Sequence, residues 1–118
     1  CVPISKITEC VKFAEEQAEK FGVRAPMVGH MGDGNFHVIL PFDPKNKESY
    51  KKIRSFNDTL IKKSIELNGT ITGEHGVGLH KKEYLLEQHP DNIPVMKSIK
   101  RTLDPNNIMN PGKIFDLN

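Results

Sequence analysis

An α+β fold is predicted for this 118-residue chain by two observations. Amphipathic helical stretches are interleaved with short extended ones, and the last helices follow one another without strands between them. The extended stretches are few, so a small antiparallel sheet with packed helices and a C-terminal helical segment is expected, its edges covered by something outside the chain.

The elements read in order as follows. Ile7, Val11, Ala14, Ala18 and Phe21 recur at helical spacing, predicting a helix from about Ser5 to Phe21 with Gly22 as its C-cap. Val23 to His30 and Phe36 to Phe42 are strand candidates, the second ended by Pro41 and Asp43-Pro44. A second helix, Lys47 to Leu67, presents Tyr50, Ile53, Phe56, Leu60, Ile61, Ser64 and Leu67 as its buried stripe, and Asn68-Gly69 stops it. Thr70-Ile71-Thr72 is a short extended piece. Helices from Lys82 to Glu87 and from Ile93 to Leu103 follow. The tail from Leu103 to Lys113 is rich in turn formers and is expected to be ordered, anchored by Leu103, Ile108, Met109, Ile114 and Phe115.

Composition narrows the function. Residues 1–118 have the length of one domain. The net charge is only +2, and the lysines of 45–63 are mixed with acids, which describes a solvated face rather than a nucleic-acid stripe. Cys1 and Cys10 form no CxxC pair, so a thiolate zinc site, a redox dithiol and a disulfide framework are not expected, and intracellular is the default compartment. No apolar run approaches the roughly 20 residues of a membrane span, and no signal peptide is visible. Beginning at Cys1 and running directly into Val2-Pro3-Ile4, the chain is expected to be a piece of a longer protein.

The chemistry concentrates in two segments that both read G-x-x-G-x-G: Gly29 to Gly34, continuing through Asn35-Phe36-His37, and Gly73 to Gly78. Each holds imidazole or carboxylate groups between glycines. On a straight strand the odd separation of His30 and His37 would place them on opposite faces. Gly32-Asp33-Gly34 can instead reverse the chain and bring both imidazoles to one point. Two histidines make half of a divalent-metal site. A carboxylate would complete a three-ligand site with an open position, the arrangement of catalytic zinc. Glu74 is the first candidate and Asp33 the second, although a carboxylate in a Gly-Asp-Gly turn often caps its own backbone. Glu74 and His75 are neighbours and would point opposite ways in extended backbone, so His75 is a candidate general base. Either cluster alone could be a mere turn, and His80 and His89 read as solvent-facing. Neither cluster has the order of the dinucleotide fingerprint or the Walker A loop, and a Gly-x-Ser-x-Gly nucleophile elbow is absent.

Three stretches carry a family resemblance: Gly29 to His37, Gly69 to Gly78 and Leu103 to Lys113. Together they resemble the C-terminal part of FAD-linked oxidases of the D-lactate dehydrogenase, glycolate oxidase catalytic subunit and D-2-hydroxyglutarate dehydrogenase type, which are vanillyl-alcohol oxidase-like flavoproteins. The resemblance implies part of a ferredoxin-like cap domain plus the terminal segment that returns to the flavin. It implies that His30, His37 and Glu74 bind a divalent metal, Zn or Mn, that His75 stands beside a small 2-hydroxy acid substrate, and that Asn110 and Lys113 contact FAD. The FAD-binding domain of the same parent protein would be the main partner, and an oligomer is possible. Hydride would pass from the substrate α-carbon to FAD while a base takes the hydroxyl proton. Some dicarboxylate-using members carry Asn two residues after the second histidine, where this chain has Ile39, so lactate or glycolate is favoured over 2-hydroxyglutarate. Without the flavin domain the chain alone is expected to be inactive. The resemblance leaves cytoplasmic, membrane-associated and mitochondrial settings open. Two other readings use the same ligands: a non-catalytic metal-binding domain and a metal-dependent hydrolase.

Overall fold

The computed structural model describes residues 1–117. Its contacts separate into two compact units, Cys1–Gly73 and a second beginning at Glu74.

The first unit is built on two helices. A 3-10 turn over Ile4–Lys6 leads into α1, Ile7–Phe21. Gly22 ends α1 in the left-handed region at φ 63°, and its N–H donates to the carbonyls of Ala18 and Glu19. Helix α2 spans Lys47–Glu66. The Asn46 side chain caps it by accepting the Ser49 N–H at 3.0 Å, satisfying one of the orphan donors of the first turn. Beyond α2, Asn68 turns the chain at φ 58° and the Gly69 N–H returns to the Ser64 carbonyl at 2.8 Å.

The two helices pack on each other. Phe56 of α2 is wholly buried and meets Phe21 of α1 edge-to-face, with ring centroids 6.4 Å apart at 79°. Burying such a ring contributes about 2–3 kcal/mol. Cys10 and Ala14 of α1 are also fully buried, and Val2, Cys10 and Leu67 form a cluster against which Ile7, Phe36 and Leu60 lean. Of the expected α2 stripe, Phe56, Ile61, Ser64 and Leu67 are buried and Ile53 and Leu60 half-buried. Tyr50 departs from it: it is exposed in the first turn of α2 and rests on Phe42, at 5.6 Å between centroids.

The sheet is shorter than the sequence suggests. Strand β1 is Met27–Val28 and β2 is His37–Val38, paired antiparallel with Met27 opposite Val38 and Val28 opposite His37. One further bond runs from the Ile39 N–H to the Pro26 carbonyl at 2.9 Å. Pro26 has no N–H to return, and Gly29 begins the turn, so the ladder cannot lengthen at either end. Thr70–Thr72 forms no ladder either. Its fixed point is the Thr70 N–H, which donates to the Cys1 carbonyl at 2.9 Å, while Ile71 is buried. The neighbouring Val2 N–H donates to the Gly34 carbonyl at 2.9 Å. The first two residues therefore tie together the turn at Gly34 and the loop after α2.

The second unit holds α3, Lys82–Gln88, and α4, Ile93–Leu103, with Pro94 in the first turn of α4 where its missing N–H costs nothing. Leu85 and Ile93 are buried. The tail is ordered, but not by the apolar anchors expected of it. Leu103, Ile108 and Met109 are 76%, 78% and 63% exposed, Ile114 is exposed as well, and only Phe115 is half-buried. Polar bonds hold the tail instead. Asp104 is buried and its carboxylate accepts the N–H groups of Ile108 and Met109 at 3.0 and 2.9 Å, together with the Lys100 ammonium. Among the described residues no helix is long and apolar enough to cross a membrane.

Candidate functional site

The first glycine cluster is the loop between β1 and β2. A 3-10 turn over Met31–Asp33 follows His30, whose carbonyl accepts the N–H groups of Asp33 at 2.8 Å and Asn35 at 3.3 Å. Gly34 then sits in the left-handed region at φ 75°. A Cβ there would lie 2.1 Å from the Val2 carbonyl oxygen, and one on Gly29 would lie 2.5 Å from the Phe36 Cα. At both positions the clash is with backbone, so a side chain fits only at the cost of shifting the main chain.

This turn defeats the strand alternation that would have parted the histidines. The rings of His30 and His37 stand edge-to-face with centroids 6.1 Å apart at 83°. His30 is exposed and His37 half-buried, so a ligand can reach both. Two imidazoles on one tetrahedral ion at roughly 2 Å per nitrogen place their ring centres roughly 5.2 Å apart. The pair is therefore less than an ångström from that geometry, a difference that side-chain rotation covers. Asp33 is exposed on the turn. Asn35, between the histidines in sequence, is buried, and its Oδ1 lies 2.7 Å from where a Cβ on Gly73 would stand.

In the second unit Glu74 and His75 occupy a turn, not extended backbone. Their side chains consequently do not diverge as expected: His75 Nε2 lies 3.6 Å from Glu74 Oε1, with both groups exposed. His80 is exposed, whereas His89 is half-buried. Asn110 and Lys113 lie exposed in the tail turn, where the Lys113 N–H donates to the Asn110 carbonyl at 3.3 Å and Asn110 holds φ 46°.

Sequence reasoning missed the groups that shape this tail. Lys100 in the last turn of α4 and Asp104 at its C-cap are four residues apart, a spacing that signals an ion pair. That pair, with the hydrogen bond from Lys100 foremost and those from Met109 and Ile108 adding to it, holds the Asp104 carboxyl down at about 2. Lys82, at the start of α3, donates to both oxygens of Asp116 at 2.9 and 2.8 Å and to the Gly112 carbonyl at 3.2 Å. No spacing rule links residues so far apart in sequence.

Comparison with known proteins matches residues 1–114 to the family described as FAD linked oxidases, C-terminal domain. The chain is 40% identical to a protein of Danio rerio named probable D-lactate dehydrogenase, mitochondrial, over 99% of this chain and 24% of that one. It is 42% identical to the glycolate oxidase subunit GlcD of Bacillus subtilis, over 97% of this chain and 24% of that one. It is 46% identical to a D-2-hydroxyglutarate dehydrogenase of Stutzerimonas stutzeri, over 74% of this chain and 19% of that one. The chain thus spans about a quarter or less of the length of these relatives. By sequence over nearly its whole length, it belongs to the FAD linked oxidases as their C-terminal domain.

Proposed function

We propose that this chain works, within a longer flavoprotein, as the metal- and substrate-facing domain of an enzyme that oxidises a small D-2-hydroxy acid of the lactate or glycolate kind. The observation that carries the reading is the convergence of His30 and His37 in one hairpin. Two neutral imidazoles and a carboxylate suit Zn or Mn, and Glu74 supplies the carboxylate. Support for Glu74 comes from chain connectivity: Gly73 lies against Asn35, between the two histidines in sequence, and Glu74 follows it one peptide later. Such an ion, when bound, supplies Lewis-acid stabilisation to the substrate's carboxylate and hydroxyl oxygens.

His75, the neighbour of Glu74 and exposed beside it, takes the substrate hydroxyl proton. Asn110 and Lys113, exposed on a fixed turn, offer an amide and an ammonium to FAD, whose chemistry is to accept the α-carbon hydride. The chain has no phosphate-cradling loop of known pattern, so most of the FAD contact falls to the rest of the parent, and the chain alone should not turn over substrate. Exposed and apolar, Ile39 offers nothing to a second carboxylate, which favours lactate or glycolate over a dicarboxylate. An intracellular setting agrees with the relative named mitochondrial.

The test uses the full-length protein. Glu74→Gln should lose bound metal by elemental analysis, whereas His75→Ala should keep metal and lose roughly 10²–10⁴-fold in turnover. If both changes behave alike, the two roles are not divided. Protein without metal, and without a thermal shift on adding Zn or Mn, would overturn the metal site. A spectroscopically closed four-ligand shell would favour a structural ion, and flavin-independent cleavage of an ester would favour a hydrolase.

A further inference from the structure

The tail of the second unit is held at both ends by lysines reaching from helices. On its N-terminal side, Lys100 of α4 bonds the buried Asp104 carboxylate and also the Met109 carbonyl, while that same carboxylate takes the N–H groups of Ile108 and Met109. On its C-terminal side, Lys82 of α3 bonds both oxygens of Asp116 and the Gly112 carbonyl. The Ile114 N–H is fixed to the Gly78 carbonyl at 2.8 Å.

Between these fixings the backbone runs through conformations it would not keep unaided. Asn107, Asn110 and Ile114 have φ of 50°, 46° and 67°, and Gly112 has 71°. For Ile114, β-branched, that region is a genuine outlier. Such residues persist only where surrounding bonds over-determine them, and they gather where a ligand is gripped. Meanwhile the apolar side chains of the segment, Ile108 and Met109, are exposed, so packing is not what holds it. Lys82 is largely covered but its partner Asp116 is 66% exposed, and an ion pair so wet adds little to stability. What it adds is geometry.

We propose that Lys100, Asp104, Lys82 and Asp116 are positioning residues, two ammonium clamps that pre-shape the turn from Asn110 to Lys113 to receive the flavin before the flavin arrives. The inference rests on the reading of Asn110 and Lys113 as flavin-facing. With the turn already ordered, FAD binding does not bear the entropy of ordering it. Each clamp acts through the backbone of the turn, and neither touches the cofactor.

The experiment uses the full-length flavoprotein, with FAD affinity measured by fluorescence titration of the deflavinated protein and the flavin environment followed by visible absorbance and circular dichroism of the reloaded one. Asp104→Asn and Lys82→Met should each weaken FAD about tenfold and shift the flavin bands, with far-UV spectrum and metal content unchanged. Asp116→Glu, which keeps a carboxylate for Lys82, should restore near-normal values where Asp116→Ala does not. Asn110→Ala separates the role of the segment from the role of the clamps. If it leaves the flavin bands and affinity unmoved, the segment does not face the flavin and the reading beneath the inference falls. If Asn110→Ala moves them while Lys82→Met and Asp104→Asn do not, the turn needs no clamp and the inference alone falls. Should Asp104→Asn fail to fold, Lys82→Met decides, since its ion pair is wet enough to lose without unfolding.

Discussion

Replacing Gly34 with alanine asks whether the hairpin that gathers His30 and His37 needs a backbone only glycine supplies. Three costs follow from the structure. Alanine at φ 75° gives up about 1–2 kcal/mol to the left-handed region. Its Cβ would stand 2.1 Å from the Val2 carbonyl oxygen, so Val2 must retreat, and the bond from the Val2 N–H to the Gly34 carbonyl goes with it, at about 1 kcal/mol. Val2 is buried against Cys10 and Leu67, and loosening it opens space in that cluster for about another 1 kcal/mol. The sum, about 3–4 kcal/mol, is a large share of a typical domain's 5–15 kcal/mol. Gly32 is the internal control: it lies in the same turn, has no positive φ, and a Cβ there would meet nothing within 4 Å. Gly32→Ala should stay within about 0.5 kcal/mol of the parent. Urea denaturation measures both, and a zinc titration should show Gly34→Ala weakened and Gly32→Ala unchanged. Equal stability and equal zinc affinity for the two variants would refute the claim that Val2 dictates the glycine.

Other outcomes are expected elsewhere. Phe56→Ala should cost about 3–5 kcal/mol in the same denaturation assay, because the ring is wholly buried against Phe21. Burial pushes the Cys10 thiol up, against a weaker opposing hydrogen bond with Ser64, so a disulfide reagent should modify half-buried Cys1 first and Cys10 only on unfolding. The Asp104 carboxyl, at about 2 instead of 3.8, lends the tail stability that is fully present above pH about 4 and is lost as pH falls through about 2. Protection of the Ile108 and Met109 amides, relative to the intrinsic exchange rate at each pH, should therefore fall over that range, and Asp104→Asn should remove that fall.

Much of the helical architecture can be read from residues alone because local chemistry decides it. Gly22 can stop α1 and Asn68-Gly69 can stop α2 whatever surrounds them. Strand length was less legible. Val23 to His30 and Phe36 to Phe42 have strand composition, yet the ladder is only Met27–Val28 against His37–Val38, because pairing length depends on where the partner's donors run out. The tail is hard to read from sequence for a related reason. Leu103, Ile108 and Met109 look like anchors to any hydropathy count, but the bonds that order the segment come from Asp104, Lys100 and Lys82, and the reach from Lys82 to Asp116 exists only in three dimensions. At the candidate site, the glycines between His30 and His37 supply locally the reversal that brings the two rings together against the strand alternation of their spacing. The proximity of Glu74 and His75 was not foretold, because alternation holds only for extended backbone and these residues turn.

The N-terminal tie has a consequence for the order of events during folding. Cys1 and Val2 hold the turn at Gly34 on one side and the loop at Thr70 on the other. Helices α1 and α2 can begin from neighbouring residues alone, but this tie joins residues far apart in sequence. Contacts so distant in sequence must repay a long loop closure before they return anything, and they set the slow step. The Cys1 carbonyl can take its bond only after Thr70 has been made, so the loop beyond α2 is among the last parts of its unit to lock, later than the histidine turn, which needs only Val2.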